Sequence, residues 1–508
     1  LDVAPRFRPE NAVLAFFHFF DDGVKMSAER TLIKASHLIA YDGKQHRYLR
    51  DGVVVYEGDT IIHVGKKFNG HVDHTIDATG KVVTPGFIDT HMHMYESPLD
   101  RSLVEDTGPR NFYGSGLFEM LPARSAAEDE EGAHASIAFS MAELIRGGTT
   151  TAIELGSHYD YTADQAARFG LRVYVGMAYR SARWFTPDGK AVQWEWQEEK
   201  GMADMDAGVQ WLERNDGSRG GLVKALLAPR QVDTCSEALL KRTREVADRM
   251  RVPVTLHTAQ SVVEFQEMIR RNGQTPIEWL RDINFLAPNV ILGHAVIIAG
   301  HSWANYAGDD LSIMAQSGCT VAHSPWVFVR RGVTLESFAR YLKAGINLSL
   351  GTDTAPQSML EAMRYASLFS KVVERRSLGI ATAADVFNAA TLGGAKALGR
   401  DDLGRICKGA KADLVIWETE SLSMSPLRDP IKNIVFNAQN EDVQTVIING
   451  KMVMQDRALT NGVSVKELAR DVQAAGERMW PNLRKGHWAH RTVDELSPQS
   501  FAVWDGES

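Results

Sequence analysis

The sequence predicts an α/β protein: a (β/α)8 TIM-like barrel joined to a composite β domain. Three observations carry this prediction. Through the middle of the chain, short apolar runs alternate with helical stretches, the pattern of a parallel α/β fold. Before and after that region, at 31–84 and 401–460, apolar runs are separated by tight-turn dipeptides. The 508 residues also exceed the roughly 250 of a typical barrel, which leaves room for a second unit.

Taken in order, residues 1–30 read as an N-terminal extension. Arg6 and Arg8 precede an apolar stretch, Ala12 to Phe20, that is too short to span roughly 30 Å of hydrocarbon. No small-x-small cleavage pattern follows it. The first β segment holds Leu32-Ile33, Leu38-Ile39-Ala40, Val53-Val54-Val55 and Ile61-Ile62, punctuated by Asp51-Gly52 and Gly58-Asp59. Residues 85–400 supply the barrel. Its eight expected strands are Val83 to Asp89, Thr150 to Glu154, Val173 to Ala178, Val223 to Ala228, Val254 to His257, Val290 to His294, Thr320 to His323 and Asn347 to Leu350. Helical stretches such as Glu237 to Met250 and Leu335 to Ala344 lie between them. Ala412 to Trp417 and Val443 to Val453, the latter broken by Asn449-Gly450, return to strand texture and would pair with the first β segment in one sheet. Residues 461–508 form a tail, helical to about Met479, expected to pack on the barrel.

A formal net charge of -8 disfavours a nucleic-acid or membrane-surface partner, since phosphate binding needs concentrated Lys and Arg. The expected partner is a small-molecule substrate. Cys235, Cys319 and Cys407 form no CxxC pair or disulfide pattern, which fits a cytoplasmic setting.

The chemistry gathers at strand ends. His91-Met92-His93 follows the apolar Phe87-Ile88, and alternate residues of a strand point the same way, so both imidazoles can face one ion. An HxH alone is weak. Here it stands where barrel active sites form, and three further apolar runs end in a potential ligand: His257, His294 and Asp353. A buried core histidine is the bland explanation for any one of these, but four such endings in register make it a poor explanation for the set.

The run "VTPGFIDTHMH", a strand-five His, a strand-six Gly-His and "SLGTD" resemble the amidohydrolase superfamily, in particular its cytosine deaminase and triazine hydrolase branch. The resemblance covers about residues 31 to 455, including "KGAKADLVIWE" and "VQTVIINGKMV". It implies a barrel with a composite β-sandwich, a homo-oligomer, and one divalent metal on His91, His93, His257 and Asp353, with zinc ahead of iron and manganese. His294 would orient water or substrate, and Asp353 would also serve as the proton acceptor. Three imidazoles and a carboxylate leave an ion with an open position for water. Relatives with two metals carry a modified lysine at the end of strand four. Here that strand ends at Pro229-Arg230 and Lys224 lies near its beginning, so one metal is expected.

Two departures bear on the substrate. Deaminases of the branch carry a glutamate three residues after the strand-five histidine, where this chain has Gln260. After strand seven the usual Pro-x-Ser-Asn run is replaced by His323-Ser324-Pro325-Trp326. Gln260, His323, Trp303, Trp326, Glu96 and Tyr113 are the candidate substrate contacts, each weighed against simple packing or a solvated loop. Asp100, Arg101, Glu105 and Arg110 share the loop of Glu96, and Trp184, Trp194 and Trp196 are further aromatic candidates. The expected activity is hydrolysis of a C–N bond in a small cyclic or aromatic molecule through a metal-activated water. Amide, lactam or carbamate hydrolysis, or hydrolytic dehalogenation, would use the same site. A catalytically silent barrel used for assembly is the non-enzymatic alternative, and the full ligand set speaks against it.

Overall fold

A computed structural model of the chain describes residues 29–103, 107–504 and 506. The expected N-terminal extension lies almost wholly outside the described residues, as does Glu105.

Two eight-stranded sheets organise the molecule. The first is built from Arg30–Tyr41, His46–Glu57, Thr60–Gly65 and His74–Pro85, together with Leu414–Trp417, Val443–Ile448, Lys451–Gln455 and Ala458–Leu459. Its two halves join where Leu414–Trp417 pairs antiparallel with Val82–Pro85. One sheet therefore draws on both ends of the sequence, and it forms a sandwich-like domain beside the barrel. One face buries Ile33, Leu38, Val54, Ile61, Leu414 and Ile447 in a small core of its own. The other presents Val82 and Trp417 to the barrel side, where the Trp417 ring lies 5.9 Å from that of Phe87.

The second sheet is parallel throughout: Phe87–Met92, Thr149–Glu154, Arg172–Tyr179, Val223–Pro229, Val254–Thr258, Val290–His294, Thr320–His323 and Asn347–Leu350. A bridge between Met92 and Asp353 closes it into a barrel. Most of its residues are buried on both faces, which is why these strands read as apolar runs rather than as alternating ones. Ile88, Ile153, Tyr174, Leu226, Ile291 and Ala322 fill the interior, and Ala395, Leu398 and Leu403 join the same cluster.

One expected boundary is wrong. The run from Val83 to Asp89 is not a single barrel strand. It is the end of a sandwich strand, closing at Pro85, followed by the first barrel strand from Phe87. Gly86 makes the junction: a Cβ there would lie 2.1 Å from the Thr150 side chain, so only glycine lets the chain pass strand two this closely. The helix expected from Leu335 is also shorter, Phe338–Lys343.

In the tail, Val465–Met479 is a helix whose Ser464 side chain accepts from the Glu467 N–H. It lies against Glu130–Arg146, and Met479 and Leu483 are buried with Leu99, Leu103 and Met120. The tail thereby braces the long loop after the first barrel strand, where one wall of the site is made. Among the described residues no helix is long and apolar enough to cross a membrane.

Candidate active site

Strand one delivers His91 and His93, strand five His257, strand six His294 and the turn after strand eight Asp353. The first and last of these are stitched together by backbone. The Asp353 N–H donates to the His91 carbonyl at 2.8 Å, and the His93 N–H donates to the Asp353 carbonyl at 2.8 Å. Asp89 adds a second clamp: its carboxylate accepts from the His91 N–H at 3.1 Å and from the Thr352 hydroxyl at 2.6 Å. His294 and Asp353 hold φ of 79° and 63°, a left-handed backbone that costs non-glycine residues of order 1–3 kcal/mol and concentrates at functional sites.

The side chains converge. His93 Nε2 lies 3.3 Å from His257 Nε2 and 3.7 Å from Asp353 Oδ1, and His294 Nε2 lies 3.7 Å from Asp353 Oδ2. His91, His93 and His257 offer ligand atoms within 4.8 Å of one another, as do His91, His294 and Asp353. Neither ring nitrogen of the wholly buried His91 has a hydrogen-bond partner among the described residues. An orphaned polar group of this kind costs about 1–3 kcal/mol unless something binds it. His93 Nδ1 sits 2.9 Å from the Leu155 carbonyl oxygen, which only a protonated Nδ1 can satisfy. Nε2 then keeps its lone pair for a ligand. The donor set, neutral imidazoles with one carboxylate, fits a divalent ion.

Electrostatics agree. Burial, then the neighbouring His93 and Arg230, holds His91 well below the ordinary histidine range, and burial does the same for His257 and His294. Neutral imidazoles are the ligating form. Burial, followed by the charges of Asp100 and Glu96, pushes the Asp353 carboxyl up to about 7, near the range useful for proton transfer.

His93, His257, His294 and Asp353 form the floor of a cavity of about 770 Å³, counted out to its mouth, with His91 buried beneath them. Of the candidate contacts, Gln260, Trp303, Glu96 and Tyr113 line it. Gln260 is buried, and its Nε2 has no partner among the described residues. Its backbone N–H donates to Glu264 Oε2 at 3.1 Å, which fixes the turn that carries it. Two candidates lie elsewhere. His323 is buried beside Phe328, 6.1 Å from the Phe338 ring and off the cavity, because it alternates along strand seven with the inward-facing Ala322. Trp326 stacks on Tyr365 at 5.4 Å and donates its indole N–H to the Ala355 carbonyl at 3.1 Å, facing away from the floor. Trp184 and Trp194 both donate to the buried Asp233, at 2.6 and 2.8 Å, in a structural role. Asp100 is an ion-pair partner of Arg124, while Arg101 and Arg110 are exposed. Lys224 pairs with Asp216 at 3.6 Å, at the opposite end of strand four.

Three charged lining residues were not among the candidates: Arg124, Arg230 and Arg331. For Arg230 a signal existed. Leu226 and Ala228 point into the barrel, and the period of two carries the same direction to residue 230. Arg124 sits in the helix Leu117–Ala127, which is not among the expected helical stretches, and Arg331 in a loop segment whose direction no periodicity sets.

A model of the amidohydrolase family matches residues 82–453. The 5-methylthioadenosine/S-adenosylhomocysteine deaminase of Thermococcus kodakarensis is 32% identical over 429 residues, covering 83% of this chain and 93% of that protein. The 5′-deoxyadenosine deaminase of Methanosarcina barkeri is 28% identical over 452 residues, 88% of this chain and 98% of the relative. Among solved structures, an adenosine deaminase from Xanthomonas campestris with bound zinc superposes with a TM-score of 0.75 at 24% identity, over 88% of this chain and 98% of that one. A zinc complex of atrazine chlorohydrolase from Arthrobacter aurescens gives 0.74 at 20%, over 88% and 100%. At those identities the structures speak for the fold alone. The family match and the 32% identical relative go further, and with them this chain belongs to the amidohydrolase family, the metal-dependent hydrolases of carbon–nitrogen bonds.

Proposed function

We propose that this chain is an aminohydrolase holding one zinc ion on His91, His93, His257 and Asp353, and that it releases ammonia or an amine from a small ring compound. The observation that carries the reading is the convergence of these ligand atoms on the floor of a cavity with an apolar wall, Ile297, Val327, Phe328 and Val333. A divalent ion in such a site lowers the pKa of water and polarises the electrophile.

The chain's own groups do the rest. The Asp353 carboxylate has one oxygen toward His93 and the other toward His294, so it can take a proton from the attacking water on one side of the centre. It then returns that proton to the leaving nitrogen. His294, beside Asp353, orients the water or the substrate atom under attack. Gln260 offers two donors and one acceptor but cannot titrate, so it orients substrate and leaves proton transfer to Asp353. That division of labour favours substrates whose ring nitrogen needs no proton from this position. Trp303 and Phe328 present faces on which a flat ring can lie.

The deaminase relatives support amine release over the amide and halide alternatives. The test is a coupled ammonia assay of the zinc-loaded chain on 5′-deoxyadenosine, methylthioadenosine, S-adenosylhomocysteine, and aminated pyrimidines and triazines with and without a carboxylate, with lactams and anilides in parallel. Ammonia from at least one amine, lost in Asp353→Asn, is expected. Turnover confined to lactams or anilides would replace the aminohydrolase reading with an amidase one.

A further inference from the structure

Three guanidinium groups reach the cavity from three separate segments of the chain. Arg124 comes from the helix Leu117–Ala127 after strand one, Arg230 directly follows strand four, and Arg331 lies beyond the helix Pro325–Val329 after strand seven. They are not equivalent. Arg124 is matched within the chain, ion-paired to Asp100 and 3.4 Å from Glu96. Arg230 and Arg331 have no carboxylate within ion-pair distance among the described residues, and the Nε of each is buried without a partner. Arg330, behind Arg331, has all three nitrogens in that condition.

The two groups without an ion-pair partner flank the histidine–aspartate cluster. The charge of Arg230 is felt at His91, His93 and His257, and that of Arg331 at His294 and Asp353. Both are held by their backbones: the Arg230 N–H donates to the Tyr179 carbonyl at 2.8 Å and the Arg331 N–H to that of Phe328 at 2.9 Å. Burial, then the like charges of Arg330 and Arg124, depresses the Arg331 guanidinium, the mark of a cation short of counter-charge. A buried cation without a partner destabilises a fold, and a cavity that keeps Arg331 in that state, with Arg230 balanced by Tyr95 and by Glu96 and Glu128 beyond ion-pair distance, is complementary to an anion.

We propose that Arg230 and Arg331 form an anion subsite, and that the substrate carries a carboxylate in addition to the bond that is cleaved. The planar fork of a guanidinium matches a carboxylate with two parallel N–H···O bonds, which sets where the ring lies over the floor. This rests on the hydrolase reading above, and it narrows the substrate class to carboxylated ring amines or amides.

The test uses zinc-loaded chain with benzoate, benzamide and inorganic phosphate as probes, measured by titration calorimetry with metal content checked for every variant. Benzoate should bind at least ten times more tightly than its uncharged isostere benzamide. Arg230→Gln and Arg331→Gln should each weaken benzoate at least tenfold and leave benzamide within about twofold. Arg331→Lys should retain part of the benzoate affinity. Benzoate binding that is unchanged in both glutamine variants would mean the carboxylate sits on the metal alone and would overturn the subsite. Phosphate binding more tightly than benzoate would overturn the carboxylate assignment. A ligand-free measurement guards against misfolded variants: Arg331→Met should melt at the same temperature or higher, because it removes an unmatched buried cation. A clear drop would show that the chain's own groups satisfy Arg331 and that no ligand is needed. Failure of every amine to release ammonia, with benzoate recognition intact, would sink the aminohydrolase reading and spare the subsite.

Discussion

Asp353 and His93 touch twice: the Asp353 carbonyl accepts from the His93 N–H at 2.8 Å, and its carboxylate lies 3.7 Å from the His93 imidazole. The last strand of the barrel is thus hydrogen-bonded to the first at the point where both contribute to the cluster. Barrel closure and the convergence of these side chains are one structural event. Variants at this seam should separate effects on metal from effects on chemistry.

Asp353→Asn keeps the shape and the backbone bonds to His91 and His93 but cannot take a proton. Purified as the zinc form, it should fold normally and lose roughly 10²–10⁴ in kcat, the usual value of a general acid–base group. Steady-state kinetics on metal-matched samples would check this. Near-normal turnover would assign the proton to another group.

Gly293→Ala probes the packing behind the ligands. A Cβ at this position would come within 2.7 Å of His91 Cε1 and 3.0 Å of His91 Nδ1, so the ring must turn. Because side chains that orient a ligand are worth roughly 10–100-fold in metal affinity, a loss of about that size is expected with little change in the folded spectrum. Competition against a zinc chelator would measure it, and unaltered affinity would show that His91 can shift freely.

Gln260→Ala should lower kcat/KM by roughly 0.5–1.5 kcal/mol, the net value of one neutral hydrogen bond. The side chain lines the cavity, and its amide nitrogen has no other partner among the described residues. Wild-type kinetics for this variant on the true substrate would remove Gln260 from the site.

His46 predicts a pH effect far from the catalytic floor. It lies in the first sheet with its Nε2 3.1 Å from the Thr391 hydroxyl and its ring edge-on to Phe387. Burial, then Arg405, lowers it from 6.5 to about 4. The unfolded chain therefore binds this proton first, so the stability His46 contributes is whole above pH 6.5 and falls as pH drops toward 4. Because the ring edge reaches solvent, the loss between pH 7.5 and 5 is about 1–2 kcal/mol. Denaturant unfolding at the two pH values should show that much less pH dependence in His46→Phe than in wild type.

Much of this was legible in the sequence, for identifiable reasons. The convergent residues His91, His93, His257, His294 and Asp353 each end an apolar run, and a strand's period and direction then fix where they point. Seven of the eight barrel strands were placed within two residues because they are buried on both faces. The first was misplaced because Val82–Pro85 and Phe87–Met92 are equally apolar, and only the close pass at Gly86 separates two sheets. His323 closes strand seven beside the inward Ala322, so the period of two turns it away from the interior, while the chain's turn at Pro325 places Trp326 off the cavity. Such a turn leaves no periodic trace. Arg124 was missed because the helix that carries it, Leu117–Ala127, was not expected, and Arg331 because a loop carries it, whereas the inward parity of Leu226 and Ala228 already pointed to Arg230.

The central claim is that one divalent ion on the histidine–aspartate cluster drives the hydrolysis. Titrating zinc into chelator-stripped chain while following turnover tests it most directly. Activity should be absent without metal, rise linearly and reach its plateau at one equivalent per chain. A plateau at two equivalents, or full activity in the stripped chain, would contradict the account.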